Sequence, residues 1–308
     1  MVTGEREFIE RVQRKLRPRR GAGIVLGIGD DCAIFRSRGE DLLFTTDLLI
    51  EDVHFRRATH RAADVGWKAL ARGLSDIAAM GGVPRFFLLS LALPDWAGEA
   101  WVDGFYRGLL LLAGRTGVTL AGGDLAHSAT LTCDIVVCGS VPRGQALRRD
   151  GSRPGDAIYV SGRLGGSALA LAQAAPLRTG AAWRRHLRPL PRLALGRFLR
   201  ERLRASAAMD LSDGLSIDLA RLCQASNVSA AIEAPPRFRG ATAEQALHGG
   251  EDYELLFTVA PTTAVPAAFE GTPLTRIGSM RRGAPGRVLL QGAPLAPLGY
   301  DHFREPGP

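Results

Sequence analysis

The stretch Leu70-Ala71-Arg72-Gly73-Leu74-Ser75-Asp76-Ile77-Ala78-Ala79-Met80-Gly81-Gly82-Val83-Pro84 leads into Arg85-Phe86-Phe87-Leu88-Leu89-Ser90-Leu91-Ala92-Leu93 and changes periodicity on the way. Leu70, Leu74 and Ile77 share one helical face, which predicts a helix over 62–80 that Gly81-Gly82 and Pro84 stop. Residues 86–93 then read as a buried strand. On the N-terminal side, 42–46 predicts a strand running into Asp47. On the C-terminal side come a helix over 101–116, a short strand 118–121 ending in a Gly122-Gly123-Asp124 turn, and a β-branched strand over 131–141. After a polar, arginine-rich segment at 142–156, a strand (157–161) and helices over 164–175 and 192–203 follow. Another helix begins near Ser212, a strand spans 253–259, and 271–308 reads as a Gly/Pro-rich tail with short strands. Alternating signals of this kind predict an α/β or α+β class. The segment at 142–156 divides the chain into 1–143 and 144–308, in keeping with the length of 308 residues.

Composition narrows the function. The net charge is +8, yet the arginines are scattered, few aromatics lie among them, and only Lys15 and Lys68 are lysine. That distribution argues against a nucleic-acid stripe. The runs 14–20 and 184–188 read as solvated faces. No apolar run approaches the roughly 20 residues of a membrane span, and the first residues lack a signal-like stretch, so the expectation is cytoplasmic. Cys32, Cys133, Cys138 and Cys223 show neither a CxxC pair nor zinc spacing, and read as buried small hydrophobes.

Against this basic background, carboxylates recur in tight clusters: Gly29-Asp30-Asp31, Thr45-Thr46-Asp47, Leu74-Ser75-Asp76, Gly122-Gly123-Asp124, Asp210-Leu211-Ser212-Asp213 and Gly249-Gly250-Glu251-Asp252. Two carboxylates about 4 Å apart repel by about 4 kcal/mol at an effective dielectric near 20. If the clusters converge, a cation must sit among them. Hard oxygen donors without thiolate or imidazole companions suit Mg²⁺, which commonly carries substrate phosphates. Each cluster taken alone also reads as an ordinary turn, and Ser212 as a helix cap beside an anion-binding helix N-terminus. Asp76 lies off the apolar helix face, near the helix end, where it can point into a cleft. His54 alone reads as structural, and Lys68 as a helix residue that snorkels to solvent. A Walker A loop, a GxGxxG fingerprint and the protein-kinase motifs are all missing.

Together the segments Gly27-Ile28-Gly29-Asp30-Asp31-Cys32-Ala33, Thr45-Thr46-Asp47-Leu48-Leu49, Val53-His54-Phe55, Leu74-Ser75-Asp76-Ile77-Ala78-Ala79-Met80-Gly81, Gly122-Gly123-Asp124, Asp210-Leu211-Ser212-Asp213-Gly214-Leu215, Gly249-Gly250-Glu251-Asp252-Tyr253-Glu254-Leu255 and Gly299-Tyr300-Asp301-His302-Phe303 resemble the thiamine-monophosphate kinase family, in order, over 27–303. The resemblance implies the two-domain fold of aminoimidazole ribonucleotide synthetase. Its N-terminal sheet-plus-helices domain binds Mg-ATP and dimerises, and its C-terminal α/β domain completes the nucleotide and substrate site. It implies ATP-dependent phosphorylation of thiamine monophosphate to thiamine diphosphate by a homodimer using several Mg²⁺ ions, with a role for K⁺ left open. Asp31, Thr45, Thr46, Asp47, Asp76, Asp124, Asp210 and Asp213 match the family's metal positions. Tyr106, Gly123, Asp124, Arg149 and Ser212 match nucleotide positions, and His54, Glu251 and Tyr300 match thiamine-phosphate positions. No protein nucleophile is implied, so transfer is expected to be direct and in line. Asp52, Arg72-Gly73 and Leu125-Ala126-His127 depart from the common pattern. The rival readings are another enzyme of the superfamily, such as an aminoimidazole ribonucleotide synthetase or selenophosphate synthetase, and an inactive Mg-nucleotide-binding module.

Overall fold

The computed structural model describes residues 23–173 and 179–303, so the basic run at 14–20 lies outside the described residues. Two sheets organise the chain. The first contains β1 (Ile24–Leu26), β2 (Ala33–Arg36), β3 (Glu40–Ile50), β4 (Val83–Leu93), β5 (Thr119–His127) and β6 (Thr132–Pro142). Its order is β1-β2-β3-β6-β4-β5. Helices α1 (Ala62–Ala79) and α2 (Glu99–Thr116) cover one face. Leu70, Leu74 and Ile77 of α1 are fully buried in the core with Ile135 and Val137 of β6. The two helices cross closely because glycines meet there: a Cβ on Gly66 would lie 2.0 Å from the Phe105 carbonyl oxygen, and one on Gly108 1.8 Å from that of Ala63.

The second sheet contains β7 (Ala157–Ser161), β8 (Ala207–Asp210), β9 (Ser229–Ile232), β10 (Leu255–Val259), β12 (Thr272–Arg281), β13 (Val288–Leu290) and β14 (Ala293–Leu295), in the order β14-β13-β9-β12-β7-β10-β8. The short β11 (Ala268–Phe269) pairs with β12. Around the sheet run α3 (Gly166–Ala172), α4 (Ala181–Leu187), α5 (Leu193–Phe198) with a π-helical turn at Leu199–Leu203, α6 (Leu215–Ala225) and α7 (Ala243–His248). Helix α1 touches both halves. Ala78 and Ala79 at its end join a buried cluster with Leu195, Leu199 and Phe257, and the Trp67 indole donates to the Pro189 carbonyl at 2.8 Å.

Several sequence expectations change here. Gly122-Gly123-Asp124 is no turn but lies within β5, paired with Leu88, Leu89 and Ser90 of β4. The supposed Gly/Pro tail contains β12, which sits inside the second sheet between β7 and β9. Glycine-rich composition misled because Gly278 packs where a Cβ would meet the Ala231 carbonyl at 2.1 Å. The run 184–188 is not a solvated face: Arg185 reaches buried Glu254 at 2.6 Å and Arg188 reaches Asp64 at 2.6 Å.

Candidate active site

Three loops and strand ends bring the acidic clusters together. Thr45 and Asp47 share the helix-facing side of β3 with the core residues Leu43 and Leu49. Asp76 occupies the last turn of α1, and Asp210 ends β8. Carboxylate oxygens of Asp31, Asp76 and Asp210 all lie within 4.8 Å of one another. The Thr45 hydroxyl donates to Asp76 at 2.5 Å, and Ser75 donates to Asp210 at 2.6 Å. Arg149 pairs with Asp31, while its backbone N–H donates to Asp30 at 3.0 Å. Asp47 faces Arg72 at 2.6 Å, and Asp213 pairs with Arg221.

Burial, then repulsion from Asp210 and Asp31, pushes the Asp76 carboxyl well above its usual range. Burial and Asp31 do the same to Asp210. Asp30 is raised to about 7 by burial and by Asp31. Carboxylates so placed are electrostatically unfinished. They are oxygen donors only, since the nearby Cys32 thiol is held protonated by burial and by these same aspartates. Such a set fits a hard divalent cation of the Mg²⁺ kind.

A cavity of about 1680 Å³ extends from this acidic centre to a second wall carrying His54, Glu251, Tyr300 and His186. Glu251 holds a left-handed backbone, φ 62°. Its N–H bonds to the Ser212 carbonyl at 2.7 Å, and the Tyr300 N–H bonds to that of Asp213 at 3.1 Å, so one short segment positions both. Burial would raise the Glu251 pKa, but Lys68 and His186 together pull it below the usual carboxylate range. Lys68 does not snorkel: it is fully buried, 2.6 Å from Glu251, and donates to the His54 carbonyl at 3.1 Å. The His54 Nδ1 accepts from the Ile50 N–H at 3.0 Å, which leaves the proton on Nε2. Burial, then Arg72, lowers its pKa to about 3, so the ring is neutral. Asp52 adopts φ 63°, a conformation that favours the glycine common in the resembled family.

Of the predicted residues, Asp31, Thr45, Thr46, Asp47, His54, Asp76, Arg149, Asp210, Ser212, Asp213, Glu251 and Tyr300 line this one cavity. Tyr106, Gly123 and Asp124 do not. Tyr106 sits on α2, packed edge-on against Phe105. Asp124 stands on β5, level with Ser90 and Asp134 on the sheet face turned away from α1. Thr46 opens onto that face too and bonds Asp134 at 2.7 Å. Ser212 is not the cap of the helix after it: Asp218 accepts from the N–H groups of Asp213 and Gly214, both at 3.1 Å. Asp30, Arg72, Asp218 and Arg221 also line the cavity, though the sequence assigned none of them a site role. Only Asp30 carried a signal, its adjacency to Asp31.

Family models for AIR synthase related protein match here, the N-terminal domain over residues 29–141 and the C-terminal domain over 153–290. Thiamine-monophosphate kinase of Escherichia coli O157:H7 is 38% identical over 331 residues, covering 99% of this chain and 100% of that protein. The chain belongs to the thiamine-monophosphate kinase family. The same enzyme of Bacillus subtilis (strain 168) is 35% identical over 92% of this chain and 95% of its own. Among solved structures, AaThiL complexed with AMPPCP and TMP superposes with a TM-score of 0.86 at 33% identity, covering 97% of each chain. The hydrogenase maturation protein HypE in complex with ATP has a TM-score of 0.67 at 19% identity, covering 82% of this chain and 83% of its own, and shares the fold. Thiamine-monophosphate kinase family membership makes this chain an enzyme of the kinase class. The two-sheet architecture expected from the resemblance is the one observed.

Proposed function

We propose that this enzyme transfers the γ-phosphoryl group of ATP to thiamine monophosphate, giving thiamine diphosphate. One observation carries the reading: a convergent aspartate centre and an ionised Glu251 line a single cavity. At about 1680 Å³ it exceeds the roughly 300–1,000 Å³ that one small ligand occupies, so two substrates fit together. Relatives that bear the kinase name over the full chain support the same assignment, as does the neighbour solved with AMPPCP and TMP.

Asp31, Asp76 and Asp210, with Thr45, Thr46, Asp47 and Asp213, would hold Mg²⁺, which when bound neutralises phosphate charge and so lets two polyanions approach. Arg149 is placed to orient phosphate oxygens once its hold on Asp31 is shared, with Ser212 also lining the cavity. Elsewhere in the cavity Glu251, kept anionic by Lys68, answers the cationic thiazolium ring. His54 offers its Nε2–H, and Tyr300 closes that side. The acceptor is a phosphate monoester with a second pKa near 6, already ionised at neutral pH, so no protein base is needed and direct in-line transfer suffices.

The outward face of the first sheet supports a homodimer. Phe35, Leu48 and Leu88 are 40%, 46% and 38% exposed there, an apolar patch of the kind that marks an interface. Asp124 lies on the same face, where a second copy would meet it.

ADP release with thiamine monophosphate, free thiamine and an aminoimidazole precursor offered in parallel tests the assignment. Turnover is expected with the first alone; turnover with the aminoimidazole precursor instead would assign the chain to the synthetase activity.

A further inference from the structure

Beyond Glu251 the cavity wall is aromatic. His186 packs against His60 with ring centroids 5.0 Å apart and against Trp183 at 5.7 Å, both edge-on. All three are nearly buried, with 2%, 5% and 4% exposure respectively, and all line the cavity. His60 Nε2, His186 Nε2 and Trp183 Nε1 are shut off from water without a hydrogen-bond partner among the described residues. Buried polar atoms are almost always paired, so three orphans in one wall of a substrate cavity call for a ligand.

Their chemistry defines that ligand. The Trp183 indole can only donate. The His186 Nδ1 lies 3.1 Å from the Glu251 carboxylate, so it carries the proton and leaves Nε2 a bare acceptor. Burial, then Lys68, keeps this ring neutral by lowering its pKa. One turn of α4 therefore carries a donor and an acceptor within an aromatic wall. A neutral, flat heterocycle with a ring nitrogen beside an amino group is the complement. It accepts from Trp183, gives to His186 and packs against the imidazoles.

We propose that Trp183, His186 and His60 form the subsite that reads the aminopyrimidine ring of the substrate. This rests on the assignment of thiamine monophosphate as acceptor. His186 binds Glu251 on its other edge, so the group that reads the neutral ring also braces the carboxylate that faces the cationic one. These nitrogens are shut off from solvent in the free protein, so an entering heterocycle must displace the side chains that cover them before it can bond.

Steady-state kinetics of Trp183→Phe and His186→Asn test the subsite. The first keeps the ring and deletes the donor; the second keeps an N–H for Glu251 and deletes the acceptor. Each is expected to raise the KM for thiamine monophosphate about tenfold, the worth of one hydrogen bond, with kcat and the KM for ATP within about twofold. A 3-benzyl thiazolium phosphate, with benzene in place of the aminopyrimidine, is the control substrate. Wild type is expected to use it with a raised KM that neither variant changes. An unchanged KM for thiamine monophosphate in both variants, or an equal rise for both substrates, overturns the subsite while leaving the kinase assignment standing. Wild-type protein that releases no ADP with thiamine monophosphate overturns the assignment and the subsite together.

Discussion

The ammonium of Lys68 lies 2.6 Å from the Glu251 carboxylate although no part of the lysine side chain reaches solvent. Lys68 belongs to α1, under the first sheet, and Glu251 to the loop before β10 of the second. The pair therefore ties the two halves together at the substrate wall. Removing one partner of a buried pair leaves the other uncompensated, at a cost of about 3–5 kcal/mol. Lys68→Met is expected to lose stability of that order in urea unfolding. The survivor should also bind thiamine monophosphate weakly, because Glu251 then favours its neutral form.

The acidic centre sets stability against function. In metal-free protein, Asp76 is opposed by Asp210 and Asp31, and burial compounds the repulsion. Asp76→Asn removes one charge while its amide can still accept from Thr45. Metal-free protein is expected to be more stable than wild type, because one buried, mutually repelled charge is gone. Mg-ATP should then stabilise the variant far less than wild type, and turnover should vanish. Thermal unfolding with and without Mg-ATP, alongside an ADP-release assay, reads all three.

Glu254 gives a pH prediction of definite sign. Burial alone would raise its pKa, but Arg192 and Arg185 overcome that and lower it. A carboxyl that is more acidic folded than unfolded binds fewer protons when folded. Its contribution is complete above the ordinary glutamate pKa and is lost as pH falls through the depressed folded value. Glu254→Gln is expected to be destabilised by about 3–5 kcal/mol at neutral pH, since both arginines lose their partner. Its stability should decline less than that of wild type as pH falls below about 4, the ordinary glutamate pKa, when chemical denaturation is followed through that range.

Leu88 stands in the middle of the exposed apolar sheet face, level with Val136 and Thr46 by register. A charge there disfavours association without disturbing the core behind it. Leu88→Glu is expected to sediment as a monomer, and wild type as the proposed dimer, at the same concentration. Its melting temperature in the monomeric state should stay within a few degrees, as for a surface change of about 0.5 kcal/mol.

Local chemistry made much of this legible. The leucine–isoleucine spacing of α1 and its glycine stop gave that helix to within a residue at each end. The β-branched run gave β6, and runs of oxygen donors flagged most of the acidic centre. Where reading failed, a long-range contact had overridden a local signal. Gly122-Gly123 looked like a turn, yet pairing with Leu88 and Leu89 extends the strand through it. Lys68 looked like a surface lysine because nothing near it in the chain announces Glu251, and Arg72 looked like an anomaly until Asp47 faced it at 2.6 Å.

The most strongly periodic elements, and the oxygen chemistry of the site, were settled by the residues themselves, because periodicity and donor type are properties of short segments. Which carboxylates meet, which arginine or lysine answers each one, and which nitrogens are left unpaired were settled only by tertiary structure. Those are matters of distance and burial between segments up to two hundred residues apart, such as Asp31 and Asp210, and electrostatic energy depends on separation in space rather than along the chain.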